Sequence, residues 1–351
     1  MSGFGFILLC ILVIIPGPFI RPDKTINAND QNLSLSRLKP GTTVNVIRLK
    51  KENLDDISIL ETWKNGGRET SYSEYPVKQL EIQSDSVLVI PEYAEHDTFF
   101  SQKIPVAQFL TTNENADSNI SSEQLIHSKF YLLGTDKYGR DLLSRLMAGA
   151  IVSLAVGFIA VIISLLVGLT LGLIAGYYRG VTDNIIMWFT NVIWAIPTLI
   201  LVMAITFAFG TGFWKVFLAV GLTMWVEVAR ITRGQVLSVR EKEYVEAARA
   251  LGFSEFRIIF RHVLPNILPP VIVISAANFA SAILIEAGLS FLGLGAQIPT
   301  PSWGNMIREH YAYITTDLAY LAIVPGLMIM LLVLAFMLVG NGLRDALDVR
   351  G

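Results

Sequence analysis

The sequence predicts an all-α polytopic membrane protein with six transmembrane helices and a β-rich segment inserted between the first helix and the second. Hydrophobic residues make up 53% of the chain and charged residues 16%, which is far from the composition of a soluble domain. Long uncharged runs recur, and a spanning helix requires about 20 such residues. A polar stretch rich in Asn, Asp, Ser and Thr separates the first run from the others.

The first apolar segment, residues 1–20, is predicted to form transmembrane helix 1. No basic residue precedes it and no small-residue cleavage site follows it, which favours a span over a signal peptide. Pro16 and Pro18 are expected to break the helix near its outer end. The single cysteine, Cys10, is predicted to be a packing residue, because one cysteine supports neither a disulfide nor a metal site.

The insert covers residues 21–130, and its β-rich core is predicted over about residues 40–110. Short runs of β-branched residues at 43–49 and 86–90, and an alternating run at 77–82, are typical of strands. The polar residues 113–122 are predicted to form a linker. Residues 131–147 then lead from the insert into the second helix.

The remaining helices are predicted at about residues 148–177, 186–209, 213–232, 266–292 and 318–341, followed by a tail at 343–351. The helix at 213–232 carries Lys215 near one end and Glu227 near the other, where long side chains reach the membrane interface. Residues 230–262 hold seven Lys or Arg residues, so the positive-inside rule places this loop in the cytoplasm. Counting helices from it places both termini inside and residues 21–145 outside.

The residues of the loop at 233–265 predict two helices joined by a short turn, a helix-turn-helix elbow. Residues 241–251 are good helix formers, and Gly252 stands where a helix commonly ends in the left-handed conformation. Ser254 can cap a second helix, which Pro265 is expected to end. The apolar stripe of that helix comprises Phe256, Ile259, Phe260 and Val263. A surface of small residues is predicted at Ala247, Ala248 and Ala250.

This elbow resembles the EAA loop of the membrane subunits of bacterial ABC importers, whose pattern is E-A-A, three residues, G, nine residues, I-x-L-P. The spacing holds here, with His262 in place of Ile. The resemblance implies a type I ABC importer permease fold over residues 148–342, and an elbow on which ATPase subunits dock. The residues implied in docking are Glu246, Ala247, Ala248, Arg249, Leu251, Gly252, Phe253 and Pro265.

A second motif, residues 134–145, resembles the G-T-D-x-x-G-R-D-x-x-S-R signature of dipeptide and oligopeptide permeases and selects their C-type subunit. Its residues are Gly134, Thr135, Asp136, Gly139, Arg140, Asp141 and Arg145. The glycines suit a tight turn, and Asp141 can cap the following helix. Asp136, Arg140 and Arg145 can pair at the membrane surface. We therefore predict a structural role at the interface.

Glu286 and Ser290 belong to a run, residues 286–295, that resembles the outer end of helix five in the same permeases. A carboxylate in an apolar helix usually has a partner or faces a water-filled cavity. Glu286 is predicted either to pair with a cation such as Arg308 or to line the substrate path with Ser290. The chain departs from the family at Trp188 and Asn191, where relatives often have an Arg and an Asp, so a charged pair is expected to be missing there.

The sequence contains no phosphate-binding G-x-x-x-x-G-K-[ST] loop, and its four histidines lack metal or triad spacing. We predict a non-catalytic subunit with no metal and no cofactor. The resemblance implies four protein partners: a homologous second permease subunit, two cytoplasmic P-loop ATPase subunits and an extracytoplasmic peptide-binding protein. Nucleic acid is not an expected partner, because the net charge is only −2.

The predicted function is ATP-driven import of dipeptides and oligopeptides across the bacterial cytoplasmic membrane by alternating access. Two alternatives stay open at this point. The same machinery can serve nickel chelates or glutathione, and a membrane scaffold or sensor subunit requires no transport at all. An ion-coupled carrier is disfavoured, because charged residues are nearly absent from the predicted spans.

Overall fold

The computed structural model describes residues 2–51, 57–83, 86–91, 102–105, 108–109, 125–210, 212–297 and 299–347. The predicted linker at 113–122 and the last four residues of the predicted tail lie outside this described part. The chain forms two compact units. The helical unit comprises Met1–Leu12, Ala150–Tyr311 and Ala322–Gly351, and the sheet unit comprises Val13–Gly149 and Ala312–Leu321.

Twelve α-helices are described. In chain order they are α1 (Ser2–Ile14), α2 (Gly17–Ile20), α3 (Ile59–Lys64), α4 (Leu142–Tyr178), α5 (Gly180–Trp194), α6 (Thr198–Phe209), α7 (Phe213–Arg240), α8 (Glu243–Ala250), α9 (Glu255–Ile258), α10 (Leu264–Phe291), α11 (Trp303–His310) and α12 (Tyr320–Leu347). A π-helical turn, Ile259–Val263, joins α9 to α10. Single 3-10 turns lie at Ile26–Ala28, Leu33–Leu35 and Tyr311–Tyr313.

Within the described residues, three helices are long and apolar enough to cross a membrane: α4, the continuous helix Glu255–Phe291 and α12. A fourth span is formed if α5 and α6 are counted as one broken segment. The helix α1 is too short to be counted among these spans, and α7 carries too many charged residues to be counted. The fold is therefore helical and membrane-spanning, whereas the predicted number of six spans is not established by length and composition.

The predicted continuous helix at 186–209 is broken. α5 ends at Trp194, α6 begins at Thr198, and the two axes differ by 93°. Pro197 causes the break, because it has no N–H to donate and disfavours helical geometry in the residue before it. Pro197 itself is extended, with ψ 125°. The two halves of this segment therefore run in nearly perpendicular directions.

α4 and α7 pack through a ridge of glycines four residues apart on α4. A Cβ added at Gly168 would lie 2.6 Å from the Trp225 carbonyl oxygen, and one at Gly172 would lie 2.6 Å from that of Ala229. At Gly176 the corresponding distance, to the Arg233 carbonyl oxygen, is 2.9 Å. Small residues at this spacing allow helices in membranes to approach closely, and dispersion forces then hold them together.

Pro265 does not end the second helix of the elbow, contrary to the sequence-based prediction. It lies in the first turn of α10, where a missing N–H costs little. The π-turn before it carries the helix through, since the Leu264 N–H bonds to the Ile259 carbonyl five residues back. One continuous helix therefore runs from Glu255 to Phe291.

The sheet unit contains a five-stranded antiparallel sheet in the order β4-β3-β2-β1-β5. The strands are β1 (Thr42–Lys50), β2 (Tyr72–Gln83), β3 (Ser86–Pro91), β4 (Gln102–Pro105) and β5 (His127–Tyr131). β5 lies beyond the predicted core at 40–110 and pairs with β1, which it places inside the sheet. Ile47, Val77 and Phe109 pack in one cluster of the core, and Val44, Val46 and Tyr131 in a second.

Candidate functional site

The elbow begins with α8, whose charges match its dipole. Glu243 and Glu246 lie in the first turn and Arg249 in the last, which stabilises the helix at both ends. After the helix, Gly252 has φ +76°, so the predicted left-handed residue is confirmed. The Gly252 N–H bonds to the Arg249 carbonyl, and the Phe253 N–H bonds to the Ala248 carbonyl at 3.2 Å. This pair of bonds is the Schellman motif, which satisfies carbonyls at the helix end.

Ser254 begins the second arm of the elbow. Its backbone is extended and its Oγ accepts a hydrogen bond from the Arg257 N–H at 3.4 Å, so the predicted cap is confirmed. The turn between the two arms is therefore only a few residues long and is satisfied by local hydrogen bonds.

One face of the elbow packs into the helical unit. Val245 and Ala248 of α8, Ile258 of α9 and Val263 of the π-turn are buried. They join a cluster with residues of α4 and α7, among them Leu173, Tyr177 and Val236. Ala248 is therefore a packing residue, and the predicted small-residue surface is limited to Ala247 and Ala250, which are exposed. A larger side chain at position 248 would meet the core.

The opposite face of the elbow is apolar and open to solvent. Leu251 is 74% exposed, Phe256 70% and Phe260 51%, and Tyr244 and Phe253 are also exposed. The rings of Phe256 and Phe260 lie 4.3 Å apart, centroid to centroid. Exposed apolar patches of this kind mark surfaces that bind other molecules.

The structure divides the predicted apolar stripe. The four residues of the stripe were expected to share one face of the helix, but the π-turn at Ile259–Val263 adds one residue to that turn. Ile258 and Val263, five residues apart, are buried together, whereas Phe256 and Phe260, four residues apart, are exposed together. Helical spacing indicates which residues share a face but not which face is inward. The exposure of Phe256, Phe260 and Tyr244 was therefore not predicted from the sequence.

Charged residues surround this exposed face. Glu246 and Arg249 are exposed, and the Arg249 guanidinium lies 5.9 Å from the centroid of the Tyr177 ring. Glu241, which follows α7, pairs with Arg179, and this ion pair lowers the pKa of the Glu241 carboxyl. Pro265 is exposed at the start of α10. All the predicted docking residues except Ala248 therefore reach the surface.

Near Trp188 and Asn191, where a charged pair is expected to be missing, an ion pair at other positions joins α5 to α7. Asp183 on α5 accepts hydrogen bonds from Arg233 on α7, from Nε at 2.5 Å and from Nη2 at 2.6 Å. One turn earlier on α7, Arg230 donates to the Asn191 side chain and lies 4.0 Å from the centroid of the Trp194 ring. Two arginines of α7 thus hold α5 in place.

The motif at 134–145 lies inside the sheet unit and not on its surface. Thr135, Asp136, Arg140, Asp141 and Arg145 are all buried. Arg140 Nε donates to Asp136 Oδ2 at 2.6 Å, while Arg145 Nε lies 3.8 Å from the same oxygen. The predicted ion pairing is therefore present and is buried within the sheet unit.

This buried motif holds the segment at residues 32–38. Thr135 Oγ1 accepts from the Leu38 N–H at 2.8 Å and donates to the Leu35 carbonyl. Gly139 has φ +74°, and a Cβ added there would lie 1.7 Å from the Asn32 carbonyl oxygen. Only glycine fits this contact.

Asp141 caps α4, as predicted. Its Oδ2 accepts hydrogen bonds from Ser144 N at 2.8 Å and from Ser144 Oγ at 2.5 Å. Burial raises the pKa of the Asp141 carboxyl, although the bonds from Ser144 act in the opposite direction. The cap thus stabilises the helix end at the cost of removing a carboxylate from water.

Glu286 and Ser290 lie in the packed interior of the helical unit. Glu286 is 1% exposed and Ser290 is fully buried. Ser290 Oγ donates to Glu286 Oε1 at 2.6 Å, and Ser302 Oγ lies 3.1 Å from Ser290 Oγ. Among the described residues, Glu286 forms no ion pair with Arg308, whose guanidinium packs against Gly293. In this conformation Glu286 and Ser290 stabilise the connection between α10 and the residues before α11.

Comparison with known proteins agrees with this arrangement. Residues 168–350 match the family model described as binding-protein-dependent transport system inner membrane component. The dipeptide transport system permease protein DppC of Alkalihalophilus pseudofirmus is 42% identical over 242 residues, which is 69% of this chain and 79% of that protein. The oligopeptide transport system permease protein OppC of Haemophilus influenzae is 38% identical over 68% of this chain and 77% of its own length.

Two further similarities bear on substrate and fold. The glutathione transport system permease protein GsiD of Pectobacterium atrosepticum is 42% identical over 63% of this chain and 73% of its own length. Among solved structures, an inward-facing conformation of the MetNI methionine ABC transporter has a TM-score of 0.50, at 19% identity, over 59% of this chain and 98% of that one. At this identity the likeness defines the fold alone.

Proposed function

Because this chain belongs to the family of binding-protein-dependent transport system inner membrane components, we propose that it is the permease subunit of an ATP-driven importer of dipeptides and oligopeptides. Its relatives DppC and OppC, at 42% and 38% identity, are permease proteins of peptide transport systems. The family and the apolar helices place the chain in the cytoplasmic membrane as a multi-pass protein.

The observation that carries this proposal is the exposed apolar face of the elbow. Leu251, Phe253, Phe256 and Phe260 expose large side chains beside the charged Glu246 and Arg249. Burying one such apolar side chain in a partner is worth about 1.5–3 kcal/mol. A cytoplasmic ATPase that receives this face in a groove gains specific binding from its centre and orientation from its charged rim.

The proposed mechanism transmits work through the elbow. The sequence has no phosphate-binding loop, so ATP is bound and hydrolysed in two separate ATPase subunits. Their closure pushes the elbow, and the continuous helix Glu255–Phe291 carries the displacement into the membrane part of the chain. A homologous second permease completes the pathway, and a binding protein delivers the peptide from outside. The membrane subunit itself catalyses no reaction.

Six spans, with helix 1 at residues 1–20 and a cytoplasmic elbow, are the topology that we propose for this machine. Both termini then lie inside, and the β-rich segment within residues 21–130 lies outside. The seven basic residues between Arg230 and His262 support this orientation. In this arrangement the sheet unit faces the binding protein, and we propose that it extends the docking surface.

The experiment that tests the function is uptake of isotope-labelled dialanine and trialanine in a deletion strain complemented with this chain. A Phe256→Asp/Phe260→Asp double variant should abolish uptake and lose the ATPase subunits on co-purification. Phe130→Asp is the matched control for ATPase binding, since Phe130 is 54% exposed in the sheet unit, away from the elbow, and its substitution should leave co-purification unchanged. Retention of ATPase and uptake by the double variant would refute the proposed dock.

Glutathione is a second candidate substrate, because GsiD is as similar as DppC, at 42% identity. Competition by unlabelled glutathione against labelled trialanine distinguishes the two. Inhibition only at a large excess supports the peptide substrate. Inhibition at equimolar concentration supports glutathione.

A further inference from the structure

We propose that Glu227 is a substrate-contacting residue of the translocation path and binds the positively charged amino terminus of the transported peptide. This inference rests on the proposed peptide transport and assigns a residue to it.

The position of Glu227 in α7 is the first argument. The sequence-based boundary of this helix at residue 232 placed Glu227 at the membrane interface, but α7 continues to Arg240. Glu227 is the fifteenth of the 28 residues of α7, so it lies at the middle of the helix and not near its end. Its carboxylate is exposed, whereas Val226 and Val228 on either side of it are buried. A membrane helix rarely exposes a carboxylate unless that carboxylate faces a water-filled cavity or a functional site.

Glu227 lines a cavity of the helical unit. A space of about 180 Å³ lies between the break of α5 and α6, one face of α7 and the middle of α10. Its lining includes the hydroxyl residues Thr198, Thr223 and Ser281 together with Trp194 and Ile285. The cavity exists because the 93° bend at residues 195–197 turns α6 away from α5. It is smaller than the 300–1,000 Å³ or so of a typical ligand pocket, so it fits one end of a peptide.

The charges around Glu227 leave it available to a mobile cation. Arg230, one turn away, is bound to Asn191 and to the Trp194 ring. Arg233 is bound in both of its hydrogen bonds to Asp183. Within the described part of the helical unit, the recorded ion pairs join other residues, and Glu227 is in none of them. Because none of these ion pairs includes Glu227, its carboxylate is available to bind a cation that arrives from outside the chain.

The chemistry of the lining selects a primary ammonium group. An ammonium offers three hydrogen-bond donors, and the cavity offers a carboxylate with hydroxyl acceptors around it. Apolar walls at Ile193, Leu201 and Ile285 suit the side chain of the first peptide residue. Every peptide with a free amino terminus presents this group, so the contact accepts many sequences while rejecting acylated peptides.

The first test measures access of water. Cys10 is the single cysteine, so Cys10→Ala provides a background for introducing one cysteine at a time. In the assembled importer, Glu227→Cys should react with a charged, water-soluble methanethiosulfonate reagent, and trialanine with its binding protein should slow this reaction. Val228→Cys is the matched control and should stay unreactive, since Val228 is fully buried on the same helix. An unreactive Glu227→Cys, or a rate unaffected by peptide, would overturn the inference.

The second test measures charge recognition with trialanine and N-acetyl-trialanine. Glu227→Gln should reduce the preference for the free amino terminus about tenfold, as expected from the loss of one charge-assisted hydrogen bond. Glu227→Asp should restore part of the preference. Glu241→Gln removes a carboxylate outside the span and should leave the ratio unchanged, whatever it does to the overall rate.

The outcomes separate this inference from the proposed function. If the wild-type importer moves neither peptide, peptide transport itself fails. If it moves trialanine and Glu227→Gln keeps the wild-type preference, only the role of Glu227 fails.

Discussion

Asp183 on α5 and Arg233 on α7 form a two-pronged ion pair, with N–O distances of 2.5 and 2.6 Å. The pair is largely shielded, since the side chains are 11% and 30% exposed. It joins the first turn of α5 to the helix that carries Glu227. Fork-shaped pairing of this kind depends on the planar guanidinium group, which lysine does not provide.

Removing one partner of this pair should destabilise the helical unit. Asp183→Asn leaves Arg233 without its counter-charge, and we expect a loss of about 1–3 kcal/mol in unfolding free energy. Arg233→Lys should lose part of that amount, because lysine makes one contact in place of two. Denaturation in detergent measures both variants. Glu241→Gln, which breaks the exposed pair with Arg179, is the control and should leave stability nearly unchanged.

The two adjacent alanines of the elbow should respond in opposite ways to the same enlargement. Ala248→Leu places three more carbons in the core beside Tyr177 and Val236, so we expect destabilisation of about 1–3 kcal/mol. Ala247→Leu adds them on the exposed face, so the fold should be unchanged and ATPase binding weakened. Thermal unfolding of the isolated chain and ATPase co-purification separate the two effects. Equal behaviour of the two variants would contradict the assigned faces.

The glycine ridge of α4 should not tolerate side chains. Gly172→Leu forces atoms to within 2.6 Å of the Ala229 carbonyl oxygen and the Thr232 Cβ, so α4 and α7 must separate. We expect loss of the folded protein from detergent extracts. Gly234→Leu is the control, because a Cβ there meets no atom within 4 Å. Recovery of monodisperse Gly172→Leu at wild-type yield would contradict this close packing.

The contribution of Asp141 to the stability of the folded chain should depend on pH. Asp141→Ala removes the cap and should cost about 1 kcal/mol. Asp141→Asn keeps an acceptor for the Ser144 N–H and should be nearly neutral. Burial raises the pKa of the carboxyl above its unfolded value, so the folded chain binds this proton more tightly. Wild-type stability should therefore gain relative to Asp141→Asn as the pH falls through the folded pKa. A constant difference across pH would contradict the raised pKa.

Local chemistry explains the features that were predicted correctly. Gly252, Ser254 and Asp141 act through their own backbone and the next few residues, so their roles follow from residue type and position. The motifs of the elbow and of residues 134–145 are likewise short and regular in spacing. For these features no tertiary information is required.

The incorrect predictions concern which side of a helix is buried and where its periodicity shifts. Both depend on distant parts of the chain. Ala248 is buried because α4 and α7 pack against it, and the residues next to it in the sequence do not indicate this contact. The π-turn shifts the helix by one residue and thereby exposes Phe256 and Phe260. Pro197 breaks a helix, whereas Pro265 is absorbed at the start of one, so the effect of a proline depends on the turn before it.

The contact between α4 and α7 also limits how the molecule can change shape. Backbone meets backbone at three successive turns, so neither helix can slide or rotate past the other without collision. We therefore expect the two helices to move together. The break at Pro197 is different. The Ala195 N–H bonds back to the Asn191 carbonyl of α5, the Leu201 N–H bonds to the Pro197 carbonyl, and the two halves are nearly perpendicular. A transporter that alternates between two states would therefore bend at residues 195–197 and carry α4 and α7 as its fixed frame.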